Sequence, residues 1–230
     1  MFRHTAFFMF SDGVTPEQQL VMLKGLAYMR YECPTVQHLD YGTDVFGGSR
    51  ELYSVKPFRR TPRWRSRREG PPANFDVALH LDFADEAGNK AYNDDAVHHE
   101  VAVYNESICE AELTARVDWR YDGDFLTRPG HIRHCEMFVW DDGVDDAARE
   151  HALDAVRRLE AAPEVESVAI GRNVGTLTTD FDWILDVQVP DERACTQLLE
   201  SDLYAGVMGD VTPVTKHEWT ARISHVMRGI

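Results

Sequence analysis

Apolar and polar residues alternate from the start of the chain. His4, Ala6, Phe8 and Phe10 fall on one face of an extended segment, and Arg3, Thr5, Phe7 and Met9 on the other. A period of two predicts a strand, and Asp12-Gly13 closes it with a turn signal. The pattern then changes to helical spacing. Thr15 suits an N-cap, Pro16 the first helical position and Gln18 the far corner of a capping box. The helix is predicted to run to about Tyr31, with Leu20, Met22, Leu23 and Leu26 facing a core. Strands follow at about 35–45 and 75–83. An acidic helix start at Ala84-Asp85-Glu86, a second helical region and a last strand near 111–121 complete the unit.

The same pattern then returns. Residues 2–15 read FRHTAFFMFSDGVT and residues 132–145 read IRHCEMFVWDDGVD, without a gap. Arg3/Arg133, His4/His134, Phe8/Phe138 and Asp12-Gly13-Val14/Asp142-Gly143-Val144 coincide. The second copy predicts a helix from Asp145 or Asp146, with Ala152, Leu153, Val156 and Leu159 inward. Its strands are expected near 165–174, 181–189 and 214–224. Each copy is therefore β-α-β-β-α-β, a split βαβ or ferredoxin-like unit, and the fold class is α+β. We place unit 1 at residues 1–122, a linker rich in Gly and Pro at 123–130, and unit 2 at 131–230. Helices cover one face of such a sheet. The other face is expected to be apolar and buried against its counterpart, which makes a closed pseudo-dimer within one chain.

Composition adds constraints. Apolar residues make up 43% and charged residues 27%, ordinary values for a globular protein, and the net charge of −15 disfavours nucleic acid and anionic membranes. No apolar run approaches the length of a membrane span, and the N-terminus lacks a signal-peptide pattern. Cys33, Cys109, Cys135 and Cys195 are scattered and read as free thiols, so a cytoplasmic location is expected. No metal is expected, because no His, Cys or carboxylate cluster has ligand spacing. His98-His99-Glu100 is adjacent rather than spaced along one helix face. Segment 56–70 breaks the acidic trend, since seven cations there face one anion. Arg63, Arg65 and Arg67 are expected to border a cavity and attract an anionic group, with Trp64 covering the ligand. The plainer reading is a solvated loop paired with acidic neighbours.

The repeated openings Phe2-Arg3-His4 and Ile132-Arg133-His134, the Asp-Gly-Val before the first helix, and Tyr92-Asn93-Asp94-Asp95-Ala96-Val97-His98 resemble the stress-responsive A/B barrel, or dimeric α+β barrel (Dabb), family in a tandem form. The family often has His-Pro-x-His after an aromatic residue. Here Asp95 and Ala96 replace the first His and the Pro, while His98 keeps the second His. The resemblance implies the fused barrel. Members include a plant polyketide cyclase, which uses a Tyr and a His six residues apart without a cofactor, and a plant hydroxynitrile lyase. It therefore implies proton transfer beside a carbonyl rather than a particular substrate.

On that basis His98 is the candidate general base, Tyr92 the candidate donor to an enolate oxygen, and Asp95 the residue that holds the imidazole in one tautomer. Six residues do not stack on one helix face, so a break at Asn93-Asp94-Asp95 is required. The bland alternative for His98 is a partly exposed helix histidine. His4 is a weaker substrate-binding candidate, because its recurrence as His134 suits a folding role. His80 is expected to face the seam between sheets, or water. Unit 2 has Leu198 and Tyr204 in place of Tyr92 and His98 and reads as the structural half or as a differently specialised binding pocket. A haem reading fails for want of a supported axial His, since His151 stands alone. The preferred function is a cofactor-independent lyase or cyclase for a β-keto or polyketide-like small molecule, with room for a homodimer of two-unit chains. The rival is a non-catalytic, stress-responsive ligand-binding protein. A cavity reaching Tyr92 and His98 favours the first, and a packed interior there favours the second.

Overall fold

In the computed structural model, residues 1–46, 73–122, 127–175 and 181–230 are described. Arg63, Trp64, Arg65 and Arg67 lie outside the described residues. Unit 1 comprises β1 (Phe2–Phe8), α1 (Pro16–Glu32), β2 (His38–Thr43), β3 (Ala73–Asn74), β4 (Val77–Phe83), α2 (Glu86–Asn93), α3 (Ala96–Ile108) and β5 (Ala115–Arg120). Unit 2 comprises β6 (Ile132–Phe138), α4 (Asp146–Arg157), β7 (Ser167–Arg172), β8 (Trp183–Val189), α5 (Glu192–Leu199), α6 (Asp202–Val211) and β9 (Ala221–Val226). No described helix is long and apolar enough to cross a membrane.

Local chemistry accounts for the element ends. The α1 capping box forms in full: Gln18 N–H donates to Thr15 Oγ1 at 3.3 Å, and Thr15 N–H donates to Gln18 Oε1 at 2.9 Å. Gly13 and Gly143 both have positive φ, 86° and 81°, which explains glycine in the turn that closes each first strand. The expected break falls where the sequence placed it. Asp95 ends the gap between α2 and α3 by accepting the Val97 N–H at 2.8 Å. Strand ends are tighter than the alternation suggested. The last strands begin only at Ala115 and Ala221, because short 3-10 turns fill the preceding residues.

The first sheet has the order β2-β4-β1-β5 and the second β3-β9-β6-β8-β7. The long strands pair antiparallel, and only β3 runs parallel to its neighbour, β9 of the other unit. Odd-numbered β1 residues face the seam between the sheets, where Phe7 packs with Phe75, Trp119, Cys135, Ile184 and Ile223 from both units. Even-numbered residues face the helices. The structure is thus two fused ferredoxin-like units forming one intrachain α+β barrel.

The sheet edges close by a repeated device. Asp44 Oδ1 accepts Ser224 N–H at 3.1 Å, and Val45 N–H donates to Ser224 O at 2.8 Å. On the opposite edge Asn173 Oδ1 accepts Asp118 N–H at 3.2 Å, and Val174 N–H donates to Asp118 O at 2.7 Å. Glycine permits the approach beside each clamp. A Cβ at Gly42 would stand 2.7 Å from His225 Nδ1, and one at Gly171 would stand 2.3 Å from Trp119 Cδ2.

The seam departs from the apolar face expected. Arg3 binds Asp82 at 2.6 Å, Arg133 binds Asp40 at 2.6 Å, and both guanidiniums approach Asp186 at 3.4 Å. The pairing compensates the desolvation of these charges. Burial raises the Asp186 carboxyl more than the two neighbouring guanidiniums lower it. His80 occupies the seam, as its strand face required, and its Nε2 lies 3.2 Å from His225 Nε2.

Candidate active site

Between the unit 1 sheet and its helices lies a cavity of about 50 Å³. His4, Ala6 and Phe8 come from β1, Tyr92 from α2, His98 and Asn105 from α3, and Arg116 from β5. The Tyr92 and His98 rings meet at a tilt of 37° with centroids 4.2 Å apart, and the His4 ring centroid lies 6.3 Å from that of Tyr92. The helix break converts a six-residue spacing into this contact. The cavity reaches both members of the pair.

Asp118, which the sequence reading missed, completes the arrangement. His4 Nδ1 is 2.6 Å from Asp118 Oδ1, and Asn89 Nδ2 donates to the other carboxylate oxygen at 3.4 Å. A carboxylate against Nδ1 fixes the proton of the neutral ring there and leaves Nε2 as the acceptor. The backbone of Asp118 is held by the Asn173–Val174 clamp, so unit 2 positions the pair in unit 1. The signal existed in the sequence. In β5, Arg116 and Asp118 alternate with Ala115, Val117 and Trp119, and both strand faces are covered, so the polar face had to border something other than bulk water.

Asp95 does not hold the His98 imidazole. Its carboxylate caps α3, and His98 Nδ1 has no hydrogen-bond partner among the described residues. Burial lowers the His98 pKa to about 4, with the nearby His4 acting in the same direction, so the ring is neutral at physiological pH. Burial pushes the Tyr92 hydroxyl far upward, and it donates to Met29 Sδ, a weak acceptor, at 3.5 Å. Tyr92 can donate a hydrogen bond but does not ionise near neutrality.

The equivalent region of unit 2 is filled. Strand register makes Glu136 the counterpart of Ala6, and Arg222 and Ser224 those of Arg116 and Asp118. Glu136 Oε1 lies 2.5 Å from Arg222 Nε, accepts the Tyr204 hydroxyl at 2.9 Å and stands 3.8 Å from His134 Nε2. Burial alone would raise the Glu136 pKa, but Arg222 above all holds it at about 2. His134 Nδ1 meets the Ser224 hydroxyl at 2.8 Å, so unit 2 lacks the carboxylate behind its histidine.

Two other features are chemically less suited. A larger hollow of about 420 Å³ opens on the outer surface between α1 and α3, but its charged lining is only Lys24 and Glu100. His80, Cys135 and Asp186 converge in the seam with potential ligand atoms within 4.8 Å of one another. The guanidiniums of Arg3 and Arg133 beside Asp186 oppose a cation there.

The architecture defines a class, the fused dimeric α+β barrels. A candidate monooxygenase from Fusobacterium nucleatum matches with TM-score 0.57 and 10% identity, covering 98% of this chain and 91% of that one. Another, from Lactobacillus acidophilus, matches with TM-score 0.53 and 9% identity, covering 98% and 93%. A Dabb family protein from Mesorhizobium loti matches with TM-score 0.37 and 21% identity over 42% of this chain and 96% of its own. Identities this low establish a shared fold and nothing about chemistry. No family model and no curated protein matches the sequence.

Proposed function

We propose that the chain is a cofactor-independent acid–base catalyst acting beside a carbonyl, a lyase or cyclase whose site lies in unit 1. The observation that carries this reading is the Asp118–His4 pair, 2.6 Å apart, lining the same cavity as Tyr92 and His98. His4 Nε2 takes a proton from the carbon next to the carbonyl, and Asp118 faces the positive charge that the ring gains. Neutral His98 donates from Nδ1 to the developing enolate oxygen, assisted by the Tyr92 hydroxyl. A neutral imidazole suits this role because it can donate without first losing a proton. The base role thus moves from His98 to His4.

The cavity limits the substrate. At about 10–15 Å³ per water it has room for about three to five waters, far below the roughly 300 Å³ of a drug-sized site. An extended polyketide needs the helices to part, whereas a short carbonyl compound fits. The rival ligand-binding reading uses the same cavity and predicts binding without proton exchange.

The test is deuterium exchange at carbon next to a ketone, followed by NMR in heavy water with small ketones and keto acids. His4→Gln should slow exchange by about a hundredfold to ten-thousandfold. His98→Leu should slow it by about a hundredfold or more, through loss of the ring donor. Wild-type protein that binds these compounds without accelerating exchange would leave the non-catalytic reading standing.

A further inference from the structure

The filled unit 2 region is an internal record of what the unit 1 cavity accepts. In unit 2 one carboxylate oxygen, Glu136 Oε1, is met by Arg222 at 2.5 Å, by Tyr204 at 2.9 Å and by His134 at 3.8 Å. The residues at those three places in unit 1 are Arg116, His98 and His4, and all three line the cavity. Ala6 stands where Glu136 stands, so unit 1 keeps the arginine and the histidine of this setting without the β1 carboxylate, and the carboxylate charge that acts on Arg116 comes chiefly from Glu106. A group placed there meets Arg116 on one side and the His4–Asp118 pair on the other.

We propose that unit 1 takes a short 2-oxo or 3-oxo carboxylic acid, whose carboxylate occupies the place that the Glu136 carboxylate fills in unit 2. This rests on the acid–base reading of the same site and adds the substrate class to it. Asp118 and Glu106 also border the cavity or stand behind it, so the general field does not favour an anion. Selection for the carboxylate falls to direct contact with Arg116, as it falls to Arg222 in unit 2. With the carboxylate anchored there, a C–H next to the ketone breaks, its proton goes to His4 Nε2 and its electron pair forms the enolate. Reprotonation from His4 reverses the step, and no further reactant is needed. The size agrees, since about three to five waters of space admits a keto acid of a few carbons.

The probes are pyruvate and methyl pyruvate, in which the carboxylate is masked as a neutral ester. Binding to the full chain is measured by titration calorimetry, and methyl exchange by NMR. Wild-type protein should bind pyruvate at one site and the ester more weakly. Arg116→Gln should weaken pyruvate by about tenfold or more, the scale of a lost charge-assisted contact, and leave the ester unchanged. Ala6→Glu should abolish pyruvate binding by installing the unit 2 arrangement; a circular dichroism melt reports whether it folds, and if it does not, Arg116→Gln decides. Absent pyruvate binding, equal affinity for both probes, or pyruvate binding that survives Arg116→Gln would overturn the proposal. Carboxylate-selective binding without methyl exchange would keep the ligand class and refute the catalytic reading. Equal exchange of both probes would keep the catalysis and refute the ligand class.

Discussion

A histidine acquires a role from the atoms that its two nitrogens meet. His98 is legible in the sequence as part of Tyr-x5-His, but its neighbours are not, and they make it a neutral ring with a pKa near 4. His4 looked less specific because it repeats as His134. The repeat conceals the difference, which lies across the strand pair, in Asp118 against Ser224. Partners so far apart in sequence meet only through register, and alternation within one strand does not fix register. Asp95 shows the reverse case, since a carboxylate one turn before a histidine was claimed by the helix N–H groups nearest to it. At this scale the unit 2 network yields a stability prediction. Glu136→Ala should lower unfolding free energy by about 3–5 kcal/mol, because it strips the partner from the buried Arg222 charge. Urea denaturation checks this, and a loss under about 1 kcal/mol would contradict the buried pairing.

Elements were read more reliably than contacts. The first strand, the α1 capping box and the break between α2 and α3 follow from short-range chemistry, so the sequence contains their causes in full. The last strands were drawn too long because 3-10 turns share the composition of strand ends. Gly42 and Gly171 hold matching places in β2 and β7, and neither has a positive φ that would require glycine. The reason for glycine is in the other unit, whose β9 His225 and β5 Trp119 rings lie against them. Gly171→Ala should therefore cost about 1–3 kcal/mol or more, through displacement of the Trp119 ring from its packed position. Because Asp118 adjoins Trp119 in β5, the same change should also slow exchange at the unit 1 site. A variant with unaltered stability would show that the edge strands do not close as tightly as drawn.

The whole molecule is built from two copies of one fold in a single chain. The repeat made the fused barrel legible, since a sheet with one uncovered face needs a partner and the chain supplies two. The polar seam was not legible, because Arg3–Asp186 and Arg133–Asp40 pair across the unit boundary and tie together the pairs Arg3–Asp82 and Arg133–Asp186 within each unit. This burial makes stability depend on pH. His80, His98 and His225 all titrate lower in the folded chain than the ordinary histidine value, chiefly through burial. Their contribution is complete above about pH 6.5 and is lost as pH falls through each folded value, about 4 for His98, because the unfolded chain binds more protons there. Asp186, raised by burial, works in the opposite direction and loses its contribution as pH rises through its folded value. Urea midpoints measured from about pH 8 to about pH 4 should fall below about 6.5, and a flat profile would contradict the buried neutral histidines. The central claim is that one copy acts and the other supports it. The most direct test compares register-equivalent substitutions, Asp118→Asn in unit 1 and Ser224→Ala in unit 2, in the same deuterium-exchange assay. Asp118→Asn should slow exchange by about a hundredfold or more while the chain stays folded, and Ser224→Ala should leave the rate within about twofold of wild type. Equal rates for the two variants would contradict the account.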